Sequence, residues 1–271
     1  MDTTKVRSPA VAGTFYPSQP VHLRQTVRQF LESAVYLHVP PPKAIIVPHA
    51  GYLYSGPVAG TAYRHWLSDG QQIERLVLIG PAHWVPVFGI AATSFTAFAT
   101  PLGEMVVDLE AVEKIRPFPY IHISNPAHIP EHCLEVQLPF LQEICPQARI
   151  VPLLVGDATP QQVAEILSVF WSDSHTRFIV SSDLSHYHTY ETARRLDMAT
   201  AMAIQRQRPN AIGPEQACGR LAIQGLLYLT EQSGMVVHIA DLRNSGDTAG
   251  SKDQVVGYGA FLFTNPTKVD G

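Results

Sequence analysis

Three histidines stand a few residues beyond three separate apolar runs. His49 follows Ala44-Ile45-Ile46-Val47, His83 follows Leu76-Val77-Leu78-Ile79, and His186 follows Phe178-Ile179-Val180, each in a turn that bears Gly, Pro or Ser. Imidazole is the commonest metal ligand and also the side chain that exchanges a proton near neutral pH. Any one of these placements is explained by a histidine that hydrogen-bonds its own turn. Three together imply a shared metal or acid–base site. Asp183, three residues before His186, is placed to accept a hydrogen bond from an imidazole N–H and so fix its tautomer. His188 is expected to face solvent.

A fourth cluster, His128-Ile129-Pro130-Glu131-His132-Cys133-Leu134-Glu135, contains H-x-x-E-H, the inverted zinc-peptidase pattern. Pro130 forbids a regular helix through all five residues unless the helix begins there. Starting the helix at Pro130 leaves His128 in a loop and puts His132 and Glu135 on one face, where Glu135 either reaches the site or pairs with a basic residue. Cys133 and Cys145 sit in apolar helical contexts, where a buried inert thiol is the default. Cys218 falls just after Pro214-Glu215 at a predicted helix start, which favours the thiolate needed for metal ligation or attack; a packed core cysteine is the alternative. Tyr52, Tyr54 and Trp84 flank the histidines and offer an aromatic wall. No G-x-S-x-G, G-x-x-x-x-G-K-[ST] or G-x-G-x-x-G motif is present, so no nucleotide cofactor is expected. Gly257-Tyr258-Gly259 reads as close strand packing, and the loop 246–253 as a surface connection or a cover for a ligand.

The elements that must carry these residues alternate. Buried-type strands are predicted at 43–48, 75–80, 149–156 and 177–182. Helices are predicted at 21–36, from Pro57 to about Trp66, and at 131–144, 160–171, 190–207 and 214–231. Segments 88–93 and 104–107 suggest a hairpin insertion, and 235–242 with 254–263 supply two terminal strands. This order implies an α/β sandwich, a central mostly parallel or mixed sheet with helices on both faces. In such sheets ligands bind beyond the carboxyl ends of the strands, where all three histidines fall.

Composition narrows the function. The chain has 271 residues, 46% hydrophobic and 15% charged, with a net charge of −4, so it forms a core and has no positive field for nucleic acid. Twelve histidines, more than the 11 phenylalanines, are the unusual count, and no two are adjacent. Three cysteines without a CxxC pair fit a reducing cytoplasm. No apolar run approaches the ~20 residues of a membrane span, and 1–13 lacks a signal-peptide core, so neither membrane nor export is expected. Without a linker or repeat, 1–271 reads as one domain.

The combination Ala12-Gly13-Thr14-Phe15-Tyr16-Pro17, Pro48-His49-Ala50-Gly51-Tyr52, Ser55-Gly56, Gly80-Pro81-Ala82-His83, Glu131-His132 with Glu135, Ser182-Asp183-Leu184-Ser185-His186 and Cys218-Gly219 resembles the Memo family, including members called AmmeMemoRadiSam system protein B. The likeness spans nearly the whole chain in order. It implies a fold similar to the LigB-type class III extradiol dioxygenases, whose non-haem Fe(II) is held by two histidines and a carboxylate. Carried over, the resemblance gives His49, His83 and Cys218 as metal ligands, with the cysteine where the dioxygenases have glutamate. It gives His186, with Asp183 beside it, as the acid–base histidine, and His132 as a pocket residue. A thiolate is softer than a carboxylate and favours Cu(I), Zn or iron–thiolate chemistry. The expected protein is therefore a metal-binding redox protein using Fe(II) or Cu, with Zn as a further option. The alternatives are a non-catalytic module binding a small molecule or peptide in the same cleft, and a metallohydrolase using His128 and His132. The family name also associates such proteins with radical-SAM partners.

Overall fold

The computed structural model describes residues 5–231 and 233–266. Their main sheet has nine strands, in the order His186–His188, Val255–Thr264, Ala44–Val47, Thr176–Ser181, Arg75–Pro81, Arg149–Val155, Ile90–Ala92 and Ile121–Ile123, with Val236–Asn244 also pairing Val255–Thr264. The four strands from Ala44–Val47 to Arg149–Val155 run parallel. They are the predicted apolar runs, and every residue of Ala44–Val47 is buried, as a strand covered on both faces requires. Antiparallel pairing by Val255–Thr264 and by Ile90–Ala92 makes the sheet mixed.

Helices cover both faces. The crossover through Tyr52–Tyr63 steps from Ala44–Val47 to Arg75–Pro81, whereas that through Pro160–Trp171 steps back from Arg149–Val155 to Thr176–Ser181. With right-handed crossovers, opposite steps lie on opposite faces. On Val255–Thr264 the alternation of side chains shows the same division. Thr61 of one helix bonds Asp241, which stands opposite Ala260, while Asp197 of Tyr190–Gln205 lies against Gly257. The chain thus leaves the neighbouring strands Ala44–Val47 and Thr176–Ser181 toward different faces, and a crevice opens between their carboxyl ends.

Several predicted boundaries move. The helix expected from Pro57 begins at Tyr52, with Pro57 early enough that only one backbone bond is lost. Segments 88–93 and 104–107 do not form one hairpin. Ile90–Ala92 joins the main sheet, and Gly103–Val106 pairs with Ala97–Thr100 through a turn in which Gly103 has φ +122°, beside Val6–Arg7 in a three-stranded sheet. The helix expected over 131–144 is a 3-10 turn at Glu135–Gln137 followed by Leu138–Ile144. Among the described residues no helix is long and apolar enough to cross a membrane.

Candidate metal centre

The crevice holds an open cavity of about 490 Å³. His49 enters it between Ala44–Val47 and Tyr52–Tyr63, and His83 from just beyond Arg75–Pro81. Asp183 follows Thr176–Ser181, and His186 opens the edge strand His186–His188. His132 arrives from a non-helical segment, and Cys218 lies two residues before helix Arg220–Glu231. All six residues assigned from the sequence line this one cavity.

One ring nitrogen each of His49, His83 and His132 lies within 4.8 Å of the others. Their ring centroids are 5.2, 5.5 and 5.0 Å apart in the pairs 49–83, 49–132 and 83–132. Cys218 Sγ stands 3.3 Å from His49 Nε2. The hydrogen-bond network assigns the imidazole protons. Ser181 Oγ donates its single proton to the Cys133 carbonyl and accepts from Gln137 Nε2, so the Nδ1–H of His49, 3.0 Å away, donates to it and Nε2 keeps its lone pair. His83 Nδ1 donates to Glu131 Oε1 at 2.9 Å, so the neutral ring carries its lone pair on Nε2 as well. Both histidines therefore present an unprotonated nitrogen, the form that binds a metal.

Burial keeps two of the rings uncharged. Burial, reinforced by the nearby His83 and His132 rings, lowers His49 well below the ordinary histidine range, and burial lowers His132 too. Burial alone would raise the Glu131 carboxyl, but hydrogen bonds from His83 and from the Cys133 N–H outweigh it and hold it at about 2. Glu131 is thus an anion one bond from His83. Asp183 is raised by burial, against the pull of the His49 N–H.

Three expectations need correcting, and the open choice over Glu135 is decided. The Cys218 thiol is not lowered by a helix start. It precedes Arg220, where the helix begins, and burial together with the Asp183 carboxylate pushes it up to about 12. Asp183 accepts the backbone N–H of His49 at 2.8 Å rather than an imidazole N–H, and its second oxygen takes no hydrogen bond from the described residues. Glu135 leaves the site altogether: it pairs with Arg7 at 2.6 Å, both fully buried. His128 is buried with Nε2 3.1 Å from the Ala91 carbonyl and shares no ligand cluster with His132, which removes the basis of the metallohydrolase reading.

The aromatic surroundings also differ. Tyr52 is buried and its hydroxyl donates to the Val136 carbonyl, whereas Trp84 is 64% exposed with Nε1 3.4 Å from His132 Nδ1. Phe15, which packs edge-on to His132 at 4.8 Å, and Tyr187 line the cavity without having been singled out. The only signal for Phe15 was its place in the Ala12 to Pro17 stretch. His188, half-buried, lines an adjoining open cavity shared by His186 and Cys218. The loop after Asn244 forms a short helix, Ser245–Thr248, docked through Asp247 to the Tyr190 hydroxyl, away from the cavity.

Residues 7–262 match the family described as Memo-like protein. The chain belongs to the Memo family. Its relatives include a MEMO1 family protein of Aquifex aeolicus, 35% identical over 96% of this chain and 99% of that one. A second, from Archaeoglobus fulgidus, is 37% identical over 95% and 99%. A crystal structure of an uncharacterized protein from Escherichia coli K12 superposes with a TM-score of 0.48, at 14% identity, over 79% of this Memo chain and 98% of that one. The matched region contains every cavity residue named above, and the groups in it that could hold a metal ion are His49 with His83 and His132, and His83 with Glu131 and Cys133.

Proposed function

We propose that this Memo family protein is a metal-dependent redox protein, related to the non-haem iron extradiol dioxygenases, that holds iron or copper between His49, His83 and Cys218. The observation that carries this reading is the 3.3 Å between Cys218 Sγ and His49 Nε2, with a ring nitrogen each of His83 and His132 alongside. Two adjacent ligands bonded to one ion at metal–nitrogen and metal–sulfur lengths stand roughly 3.3–3.6 Å apart. The donor set, borderline imidazoles with one soft sulfur, fits iron, copper or zinc and disfavours Mg or Ca. A bound iron or copper ion supplies electron exchange and Lewis-acid polarisation.

The remaining chemistry belongs to the chain. His186, half-buried at the cavity edge, is placed to give or take a proton, and the unpartnered oxygen of Asp183 accepts one from a bound ligand or orients its hydroxyl. His132 lines the same cavity and offers a fourth donor nitrogen. Metal analysis of protein purified without chelator, beside a His49→Ala/His83→Ala variant, tests the centre: equal metal content in both contradicts it. Oxygen uptake with catechol-type aromatics, abolished by His186→Ala, tests the enzymatic reading.

A second reading, a ligand- or peptide-binding module without turnover, is favoured by the open mouth, where Trp84 and Tyr187 are 64% and 72% exposed. Tight binding with no oxygen consumption in the same screen would establish it.

A further inference from the structure

His83 and His132 are held by a support that begins at the other end of the chain. Arg7 is 1% exposed and uses all five of its N–H groups. Nε donates to the His128 carbonyl at 2.6 Å, one terminal nitrogen to the Ile129 and Glu131 carbonyls at 3.3 and 2.6 Å, and the other to the Ser8 carbonyl and Glu135 at 3.3 and 2.6 Å. Glu135 in turn accepts the Ala10 and Val11 N–H groups and the Tyr16 hydroxyl. The planar fork thus fixes the main chain immediately before His132. From that fixed segment the Glu131 side chain, in a residue only 3% exposed, reaches into the cavity wall. It accepts four bonds, from His83 N at 2.7 Å, His83 Nδ1 at 2.9 Å, and the His132 and Cys133 N–H groups at 3.0 Å each. His49 hangs on Ser181 and Asp183 instead, and neither touches Arg7.

We propose that Arg7 and Glu131 act in series as positioning residues for the His83/His132 half of the centre, while His49 hangs on Asp183 and on Ser181, which meets that segment only through the Cys133 carbonyl. Lysine cannot replace Arg7, because a single ammonium with three donors cannot span four carbonyls and a carboxylate. Glutamine cannot replace Glu131, because its NH2 group would face N–H donors. Arg7 touches none of the metal-binding rings and Glu131 meets His83 through its Nδ1–H and backbone N–H, so their effect is on ring orientation and on the metal-binding nitrogen of His83.

The proposal rests on the metal reading for only one of its two readouts. The metal-free protein is compared with Arg7→Lys, Glu131→Gln and, as a destabilised control at the far end of the sheet, Arg75→Lys, which disturbs the Asp108 and Asp173 pairs. By 15N-resolved imidazole NMR, Arg7→Lys and Glu131→Gln are expected to shift His83 and His132 and to mix the His83 tautomers, with His49 shifted less than either and Arg75→Lys without effect. By chelator competition, Zn(II) binding weakens about 10- to 100-fold in both and is unchanged in Arg75→Lys. Unperturbed His83 and His132 signals, or a His49 shift as large as theirs, overturns the proposal. A wild-type protein that binds no Zn(II), iron or copper defeats the metal reading and leaves the NMR comparison to decide this one. If Arg7→Lys does not fold, the isosteric Glu131→Gln carries the same comparison.

Discussion

Cys218 Sγ lies 3.3 Å from His49 Nε2 across 169 residues of sequence. Burial pushes the thiol up and the imidazole down, so the metal-free pair is neutral and the S–H is the donor. The same two atoms are the ligands proposed for the ion, and binding it must release the thiol proton.

The first consequence concerns reactivity. With its pKa pushed up to about 12, Cys218 carries almost no thiolate in the metal-free protein at pH 8. Iodoacetamide should modify native protein at least about a hundredfold more slowly than free cysteine, since only the thiolate attacks. All three cysteines should react after unfolding. Mass-resolved alkylation kinetics check this, and a Cys218 as fast as free cysteine contradicts it.

Stability should fall in acid in two stages. Burial lowers His49, His65, His128, His132 and His238 below their ordinary value of 6.5, His128 to about 4. As pH drops below 6.5 the unfolded chain takes protons that these folded histidines refuse, so stability is lost down to the folded values; His128 alone accounts for on the order of 3 kcal/mol. Glu131, held at about 2 against an ordinary 4.5, adds a second loss between those limits. Asp183 and Asp197, raised by burial, act oppositely. Urea midpoints of metal-free protein should be level from pH 8 to 7 and fall steadily from 6.5 to 4. A flat profile to pH 4 contradicts the assignment.

Gly219 is a packing requirement of the centre. A Cβ there would stand 2.7 Å from Ser182 Cβ and 2.8 Å from the Ser181 carbonyl oxygen. Gly219→Ala must push the Cys218 turn away from the strand end that supports His49, at a cost of about 1–3 kcal/mol typical of overpacking. Urea denaturation should show that loss, and chelator competition a weaker affinity for Zn(II). Wild-type values in both measurements contradict the account.

The parallel strands were legible because burial on both faces writes a continuous apolar run, as in Ala44–Val47. Their carboxyl ends then located His49, His83, Asp183 and His186 in one cleft. What stayed hidden depended on partners distant in sequence. His132 was expected on a helix, but it lies in a non-helical segment whose N–H groups at His132 and Cys133 are taken by the Glu131 carboxylate and whose preceding carbonyls are held by Arg7, and the first helical turn waits until Glu135. Glu135 lay open between two roles until Arg7, 128 residues away, claimed it. The direction of the Cys218 shift was missed because the helix starts at Arg220, leaving burial and Asp183 to dominate. Tyr187 reaches the cavity through a left-handed backbone, φ 60°, that no periodicity announces.

The ligand set is tested most directly by the absorption spectrum of Cu(II)- or Co(II)-loaded protein beside its Cys218→Ser variant. Coordination by His49, His83 and Cys218 predicts a thiolate-to-metal charge-transfer band in the wild type that disappears in Cys218→Ser, while the histidines still retain metal more weakly. Identical spectra in the two proteins would contradict a metal held by Cys218.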